Sequence, residues 1–506
     1  MTANQLSTEQ RGEEILNVFN KAFGDLLAND PAAFQGKFRK MAASAFAFYR
    51  GSACLFYHDV EPEQHNGPFL DDKTKKIWIH GDLHAENFGT YMDSQGRLIF
   101  NVNDFDEAYV GPFTWDIKRF CASIALIGYA KALSDKQITK LVKAYAEAYR
   151  ERIHTLATHK NQDDEVPRFT LDTAKGPLLD ALRSARTQTR IGLLSGMTEI
   201  HDSERRFTLG GGAIKLDSAT REKVVQAYNR YLETLPKSSH ICPDQYRIKD
   251  IVGRRGVGIG SAGLPSCNLL LEGTSEALEN DVVVYMKQSA AAAVSQHVDN
   301  TAAATSFHHE GHRTVISQRA LQAHADPWLG WTEIDGVGQL VAEVSPYAVD
   351  LDWTDINDVE EMAKVAADLG RATAMMHGAG DDNDCYSELV PFSPEQAIDA
   401  VISADESCFV DFLAKFAHEY SAQTRRDHQI FIDLFRNGRI PGLPVDSNWA
   451  SALFSSVERT HHCDVTTICI LFEGIGRDLT LDLLGFLYYS LWYLNFKLHM
   501  IKIVAL

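Results

Sequence analysis

The chain has 506 residues, 45% of them hydrophobic and 23% charged, which excludes a collagen-like or wholly disordered protein. At roughly 150 residues per domain, that length allows two to four domains or lobes. The formal charge of −19 is not offset by any long basic block, which weighs against sequence-independent nucleic-acid binding and against adhesion to anionic lipid. An anionic ligand therefore needs a local positive site. The N-terminal segment lacks a charged-then-apolar signal pattern and predicts a cytoplasmic protein. Eight dispersed cysteines with no CxxC pair read as buried reduced thiols.

In chain order, residues 8–60 read as helical and lead into a polar, proline-containing loop over Glu61–Thr74. Two β-like runs follow, Lys76–Ile79 and Leu98–Val102, with the polar segment His80–Asn87 between them. From Trp115 the period turns helical, with a capping box at Ser134 and Gln137, and helices are predicted to about residue 235. Residues 244–350 read as β, in the runs Tyr246–Val252, Cys267–Leu271, Val282–Lys287 and Gln339–Val344, with one helix near Thr314–Ala325. Helical spacing returns at Met362–Met376 and Phe409–Phe435. The apolar stretch Leu483–Phe496 falls short of the roughly 20 residues of a membrane span and is expected to dock on the core.

Three segments can carry chemistry. In His80-Gly81-Asp82-Leu83-His84-Ala85-Glu86-Asn87, a carboxylate and an amide five residues apart suit a loop that presents a proton acceptor beside a metal-ligand oxygen. The second run then ends in Asn103-Asp104-Phe105-Asp106-Glu107, hard oxygen ligands of the kind Mg²⁺ accepts when phosphate supplies the rest. The glycine-rich stretch Gly258-Ile259-Gly260-Ser261-Ala262-Gly263 is followed by a strand rather than a helix. It fits a hairpin over phosphates or an ordinary glycine turn. Lys287 closes a strand, on one face with Val283 and Tyr285, and either reaches a cleft or is solvated.

HGDLHxxN followed by a strand and DFD resembles the catalytic and metal loops of aminoglycoside and choline phosphotransferases, within the protein-kinase-like superfamily. The resemblance implies a catalytic base at Asp82, metal ligands at Asn87 and Asp104, a structural His80, and a bracing Asp116 in Pro112–Asp116. Lys287 resembles the lysine that holds nucleotide phosphates, and Gly258, Gly260, Ser261 and Gly263 would cover them. Glu310 lies before the next helix and Gln318 within it, where such enzymes place a glutamate partner for the lysine. The helix ending at Met376-His377 resembles the one that leads into the catalytic loop, yet it lies far downstream of that loop, and the glycine loop follows the catalytic loop by some 170 residues, as circular permutation would require. With the Ala45–Gly51 segment AFAFYRG, these motifs resemble the bacterial DUF2252 family over roughly residues 35–435. Arg50 is an anion contact, or a surface or helix-capping residue.

The expected fold is α+β: a two-lobed, circularly permuted kinase-like fold with a small β-rich nucleotide lobe and a large, mainly helical lobe. Its parts are an N-terminal helical segment (1–66), a helical region with the catalytic and metal loops (67–239), the nucleotide lobe (240–350), a completing helical segment (351–440) and a tail (441–506). The expected activity is ATP- and Mg²⁺-dependent phosphoryl transfer to a hydroxyl of a small molecule or a protein. Glu61, Glu63, Asp71 and Asp72 suit a cationic acceptor or a solvated loop. The alternatives are a nucleotide-binding pseudokinase, a nucleotidyl transferase, and a metallohydrolase built on His80, Asp82, His84 and Asp104. Two further metal groupings, His308, His309 and His312, and His461, His462 and Cys463, fit no common zinc spacing.

Overall fold

A computed structural model describes residues 7–63, 67–158, 168–236, 246–255, 262–298, 301–379 and 388–443. Four helices open the chain: α1 (Thr8–Asn29), α2 (Pro31–Ala42), α3 (Ala45–Gly51) and α4 (Ala53–Val60). Short strands β1 (Ile77–Ile79), β2 (Phe88–Met92), β3 (Leu98–Val102) and β4 (Tyr109–Gly111) follow. Next come α5 (Phe113–Ala130), α6 (Asp135–Thr158), α7 (Gly176–Thr187), α8 (Arg190–Met197), the hairpin β5 (Thr198–His201) and β6 (Glu204–Phe207), β7 (Ala213–Ile214) and α9 (Ser218–Leu232). The β-rich part holds β8 (Ile248–Arg254), β9 (Ser266–Leu271), β10 (Val282–Gln288), α10 (Thr301–Ser306), α11 (Glu310–Leu321), β11 (Gly330–Ile334) and β12 (Val337–Glu343). Three helices close it: α12 (Val359–Gly378), α13 (Pro394–Ile402) and α14 (Glu406–Arg436). The architecture is mixed α and β.

The main sheet is antiparallel, in the order β11-β12-β10-β9-β8-β7. Alternation along its strands divides two cores. Leu269, Leu271, Val282 and Val284 pack on Tyr228 and Tyr231 of α9, while Leu270 and Val283 pack with Val252 and Phe207 on the other face. The helical core is built around α5, most of whose side chains are buried, and α12 packs along α6. Tyr145 and Tyr149 on α6 donate to or share hydrogen bonds with Thr373 and His377 on α12, at 3.0 and 2.9 Å. A phenylalanine cluster (Phe19, Phe38, Phe48, Phe431) fastens the N-terminal helices to α14. Arg11 adds buried ion pairs to Asp427 at 2.8 Å and Asp59 at 2.7 Å.

Several expectations change in detail. The runs at 76–79 and 98–102 each pair with a strand not foreseen from the sequence, β1 with β4 and β3 with β2. These short partners carry little periodicity of their own. The supposedly helical stretch to residue 235 contains β5, β6 and β7, and the helix placed at Thr314–Ala325 begins four residues earlier, at Glu310. The Ser134–Gln137 capping box is present, with Ser134 N–H donating to Gln137 Oε1 at 2.9 Å. Cys54, Cys121 and Cys267 are buried free thiols, but Cys408 is exposed near the start of α14. The apolar stretch Leu483–Phe496 lies outside the described residues. Among those described, no helix is long and apolar enough to cross a membrane.

Candidate active site

The loop between β1 and β2 is held from behind by fully buried partners. Asp116, in the first turn of α5, accepts N–H bonds from His80 (2.6 Å) and Gly81 (2.9 Å) and faces His377 Nε2 at 3.2 Å. Gly81 has φ +81°, and a Cβ there would strike the Glu107 carbonyl, so glycine is required at this step. His80 Nε2 lies 2.8 Å from the Asn103 carbonyl, which only accepts; Nε2 therefore donates and Nδ1 takes the Asp82 N–H at 3.2 Å. Trp353 and Ser123 secure the Ala85 carbonyl and N–H. The segment after β12 crosses the β2–β3 hairpin, where Leu351 N–H donates to the Phe88 carbonyl at 2.9 Å.

At the front, Asp82 Oδ1 accepts both Nε (2.7 Å) and an Nη of Arg119, a buried guanidinium stacked over Tyr49. The other oxygen, Oδ2, has only His84 Nε2 at 3.9 Å among the described residues. Burial, together with Arg50 and Arg119, drives the His84 pKa well below its usual value, so His84 is a neutral neighbour. Asn87 donates to the Asp82 carbonyl at 2.9 Å through Nδ2, which leaves Oδ1 available.

Asp104 opens into the cleft at φ +61°, a left-handed conformation that costs energy in a non-glycine residue. The enclosure of the cleft, and then the neighbouring Asp106 carboxylate, push Asp104 up to about 6, against the pull of Lys287. Asp106 experiences the same enclosure, yet its ion pair with Lys287 holds it below the ordinary aspartate value. Lys287 is correspondingly raised, because its two aspartate neighbours outweigh burial. Glu107 is pushed up to about 7 by burial, although it accepts the Ala293 N–H at 2.6 Å.

Lys287 comes from the third strand of the sheet and Asp106 from the loop 181 positions earlier, so their ion pair joins the two halves of the cleft. Arg313 on α11 reinforces the junction by donating to the Ala108 (2.7 Å), Asp106 (2.9 Å) and Ala290 (2.9 Å) carbonyls. Glu310 pairs with Arg313 rather than Lys287, and Gln318 bonds Gln322 while lining the same cavity as Lys287. That cavity, of about 1680 Å³, also takes in Tyr285, Leu340, Val344 and Gly263. Gly263 has φ +77°; Gly258, Gly260 and Ser261 lie outside the described residues.

A second cavity of about 310 Å³ shares Asp104 and Asp106 and is lined by Asp82, Glu107, Arg50 and Lys37. Arg50 also pairs with Glu86. The structure thus brings Asp82, Asp104, Lys287, Gly263 and Arg50 to adjoining cavities, while Asn87, His80 and Asp116 support the loop beneath. Sequence reasoning missed Arg119, Arg313 and Lys37, and it read Asp106 only as one of a run of oxygen ligands rather than as the partner of Lys287. Asp106 had a signal, the second acid of NDFDE, and Lys37 stood in a helical pattern between Phe34, Phe38 and Met41.

Asp71 accepts from the Lys73 and Thr74 N–H groups at 2.9 and 2.7 Å and caps a turn, while Asp72 is exposed beside Lys75. Glu61 pairs with His297 at 3.0 Å. His308 stacks on His312 at 4.6 Å, and His461, His462 and Cys463 lie outside the described residues. Among the described residues, no three His, Cys, Asp or Glu side chains are grouped as a metal site.

The family described as "Uncharacterized protein conserved in bacteria (DUF2252)" matches residues 29–434, and the chain belongs to it. No curated protein and no solved structure matches the chain.

Proposed function

We propose that the cleft is the site of a nucleotide-dependent phosphotransferase of kinase-like, circularly permuted construction, with residues 240–350 as its nucleotide lobe. The observation that carries this reading is the Lys287–Asp106 pair, which sets a strand lysine against the acidic loop two residues beyond Asp104 and on the same cleft as Asp82. The strand order β8-β9-β10-β12-β11, with α11 between β10 and β11, supports it, since the lysine then sits on the third strand counted from β8 and the second after the glycine-rich stretch. The placement of His377, at the end of α12, against Asp116 supports the permuted order: a downstream helix reaches the upstream loop.

The chemistry fits the reaction in its parts. The acceptor hydroxyl donates to Asp82 Oδ2 and passes its proton there as its oxygen bonds the γ-phosphorus, and the bond to the β–γ bridging oxygen breaks, releasing ADP. Arg119 fixes the carboxylate so that this oxygen faces the cleft. Two crowded carboxylates, one strained and pushed up towards neutrality, are a donor set that a divalent cation would relieve, so Asp104 with Asn87 Oδ1 would hold Mg²⁺. When bound, that ion supplies neutralisation of phosphate charge. Lys287 would bind the α/β-phosphates after exchanging Asp106 for them.

A second reading, a nucleotide-binding module without turnover, is favoured by two observations: Asp82 is already held by Arg119, and Lys287 lacks a glutamate partner on α11. Nucleotidyl transfer from the same pocket differs in releasing pyrophosphate. The metallohydrolase reading is weakened by His80, whose two ring nitrogens are committed to the loop backbone.

The test is a thermal shift with ATP and Mg²⁺ on the full chain, repeated on Lys287→Ala and Asp104→Asn. Stabilisation of the wild type that is lost in both variants is the expected result. No shift at millimolar ATP would sink the reading, and ADP against pyrophosphate as product separates the two transfer chemistries.

A further inference from the structure

Lys37 is the least expected cation of the cleft. The buried face of α2 is Phe34, Lys37, Phe38 and Met41, so helical spacing puts a lysine where an apolar residue belongs. Lys37 is only 5% exposed, and among the described residues its ammonium has no carboxylate or hydrogen-bond partner. Its close contacts are the Phe23 ring, 4.1 Å to the centroid, and the Phe34 ring at 5.8 Å. A buried ammonium facing aromatic rings is far less well compensated than one paired with an anion. Yet α2 is fastened on both sides, through the phenylalanine cluster and the Asp30 cap of its first turn, so the lysine is held in place rather than free to leave.

Lys37 lines both cavities, the smaller one with Asp82 and the larger one with Lys287. Within the smaller cavity the charges divide: Lys21, Lys37 and Arg50 come from the N-terminal helices, whereas Asp82, Asp104, Asp106 and Glu107 come from the two loops. Arg50 is already paired with Glu86, and Lys21 is exposed. Of these three cations, Lys37 alone is both buried and without an acidic partner. In a chain of net charge −19, this is the local positive site that an anionic ligand needs.

We propose that Lys37 is an oxyanion-binding residue, one that receives a phosphoryl group at the junction of the two cavities. The group belongs either to the acceptor, which would then be a phosphorylated small molecule rather than a cation, or to the terminal phosphate of the nucleotide. Only this choice of source rests on the phosphotransferase reading; the anion site itself does not.

Inorganic phosphate is the probe, in thermal shifts of the full chain as wild type, Lys37→Met, Lys37→Arg and Lys287→Ala, with and without saturating ATP and Mg²⁺. Phosphate is expected to stabilise the wild type and Lys287→Ala, to retain part of its effect in Lys37→Arg and to lose it in Lys37→Met. A phosphate shift that adds to saturating ATP assigns the anion to the acceptor. A shift abolished by ATP, with Lys37→Met weakening ATP but not ADP, assigns it to the nucleotide. Either result upholds the proposal, whereas an unchanged phosphate shift in Lys37→Met, or none in the wild type, overturns it. Should Lys37→Met not fold, phosphate-soaked wild-type crystals decide: phosphate within hydrogen-bond distance of Nζ upholds the site, and its absence there overturns it. Phosphate binding at Lys37 without any ATP shift would remove the nucleotide reading alone.

Discussion

The back and the front of the loop between β1 and β2 are a few ångströms apart and obey opposite rules. Behind it, Asp116 receives two backbone N–H bonds and faces His377, which is in turn bonded to Tyr149, so each polar group in that chain has a partner. In front, Asp104 sits at positive φ beside another carboxylate, and Lys37 is buried without an acid among the described residues. Satisfied buried networks fix one conformation, while crowded like charges and unmatched cations are tolerated where a ligand completes them. The contrast separates residues that build the site from residues that use it.

Substitutions at the front should therefore damage activity more than folding. Asp82→Asn keeps the shape and a hydrogen-bond acceptor for Arg119 but removes the proton acceptor, and turnover should fall by about 10³-fold. The ATP and Mg²⁺ thermal shift should persist. Retained turnover in this variant would take Asp82 out of the mechanism. At the back the sign reverses: Asp116→Ala strands two buried N–H groups and His377, and should cost about 3 kcal/mol or more of folding stability. Its measure is the denaturation midpoint, and a change of only a few tenths of a kcal/mol would show that the loop is held elsewhere.

Asp104→Asn sharpens the comparison, because the two effects should separate within one residue. Removing one of two crowded carboxylates should stabilise the ligand-free protein by about 0.5 kcal/mol, a small gain because water reaches this side chain. The same change should abolish the Mg²⁺-dependent part of nucleotide binding. A variant that is less stable and still binds ATP with Mg²⁺ would place Asp104 among the builders.

Much of this division was legible before any coordinates. The spacing of Asp82, Asn87 and Asp104 marked the loops, and Pro112–Asp116 marked the brace, because local motifs fix local geometry. The strands β2, β4 and β11 were missed because each is only three to five residues long, too short for alternation to declare itself. The pairings Lys287–Asp106 and Arg119–Asp82 were missed for a related reason. Each ion pair joins residues far apart in sequence, 181 and 37 positions, and no local pattern announces which acid a strand lysine or a helix arginine will meet. Lys37 was visible as a polar residue at an apolar position, but a single lysine in a helical pattern acquires meaning only once the face it occupies is known to be buried.

An effect visible only against pH concerns Glu107, which lies between the two regions, its carboxylate facing the cleft and its backbone pressed against Gly81. Burial pushes it up to about 7 from an ordinary value of 4.5, with Asp82 adding to the rise and the Ala293 N–H opposing it. Between those two pH values the folded protein holds a proton that the unfolded chain has released, so stability must fall as pH rises through the window. The contribution is full below about pH 4.5 and gone above about pH 7, and with partial solvent screening it amounts to about 1 kcal/mol. Glu107→Gln should flatten that decline, read as the difference between wild-type and variant denaturation midpoints from pH 5 to 8. Parallel curves would mean that Glu107 is ionised throughout and belongs with the satisfied groups behind the loop. Curves that meet at low pH and part as pH rises would place it with Asp104 and Lys37, among the groups left out of balance for a ligand.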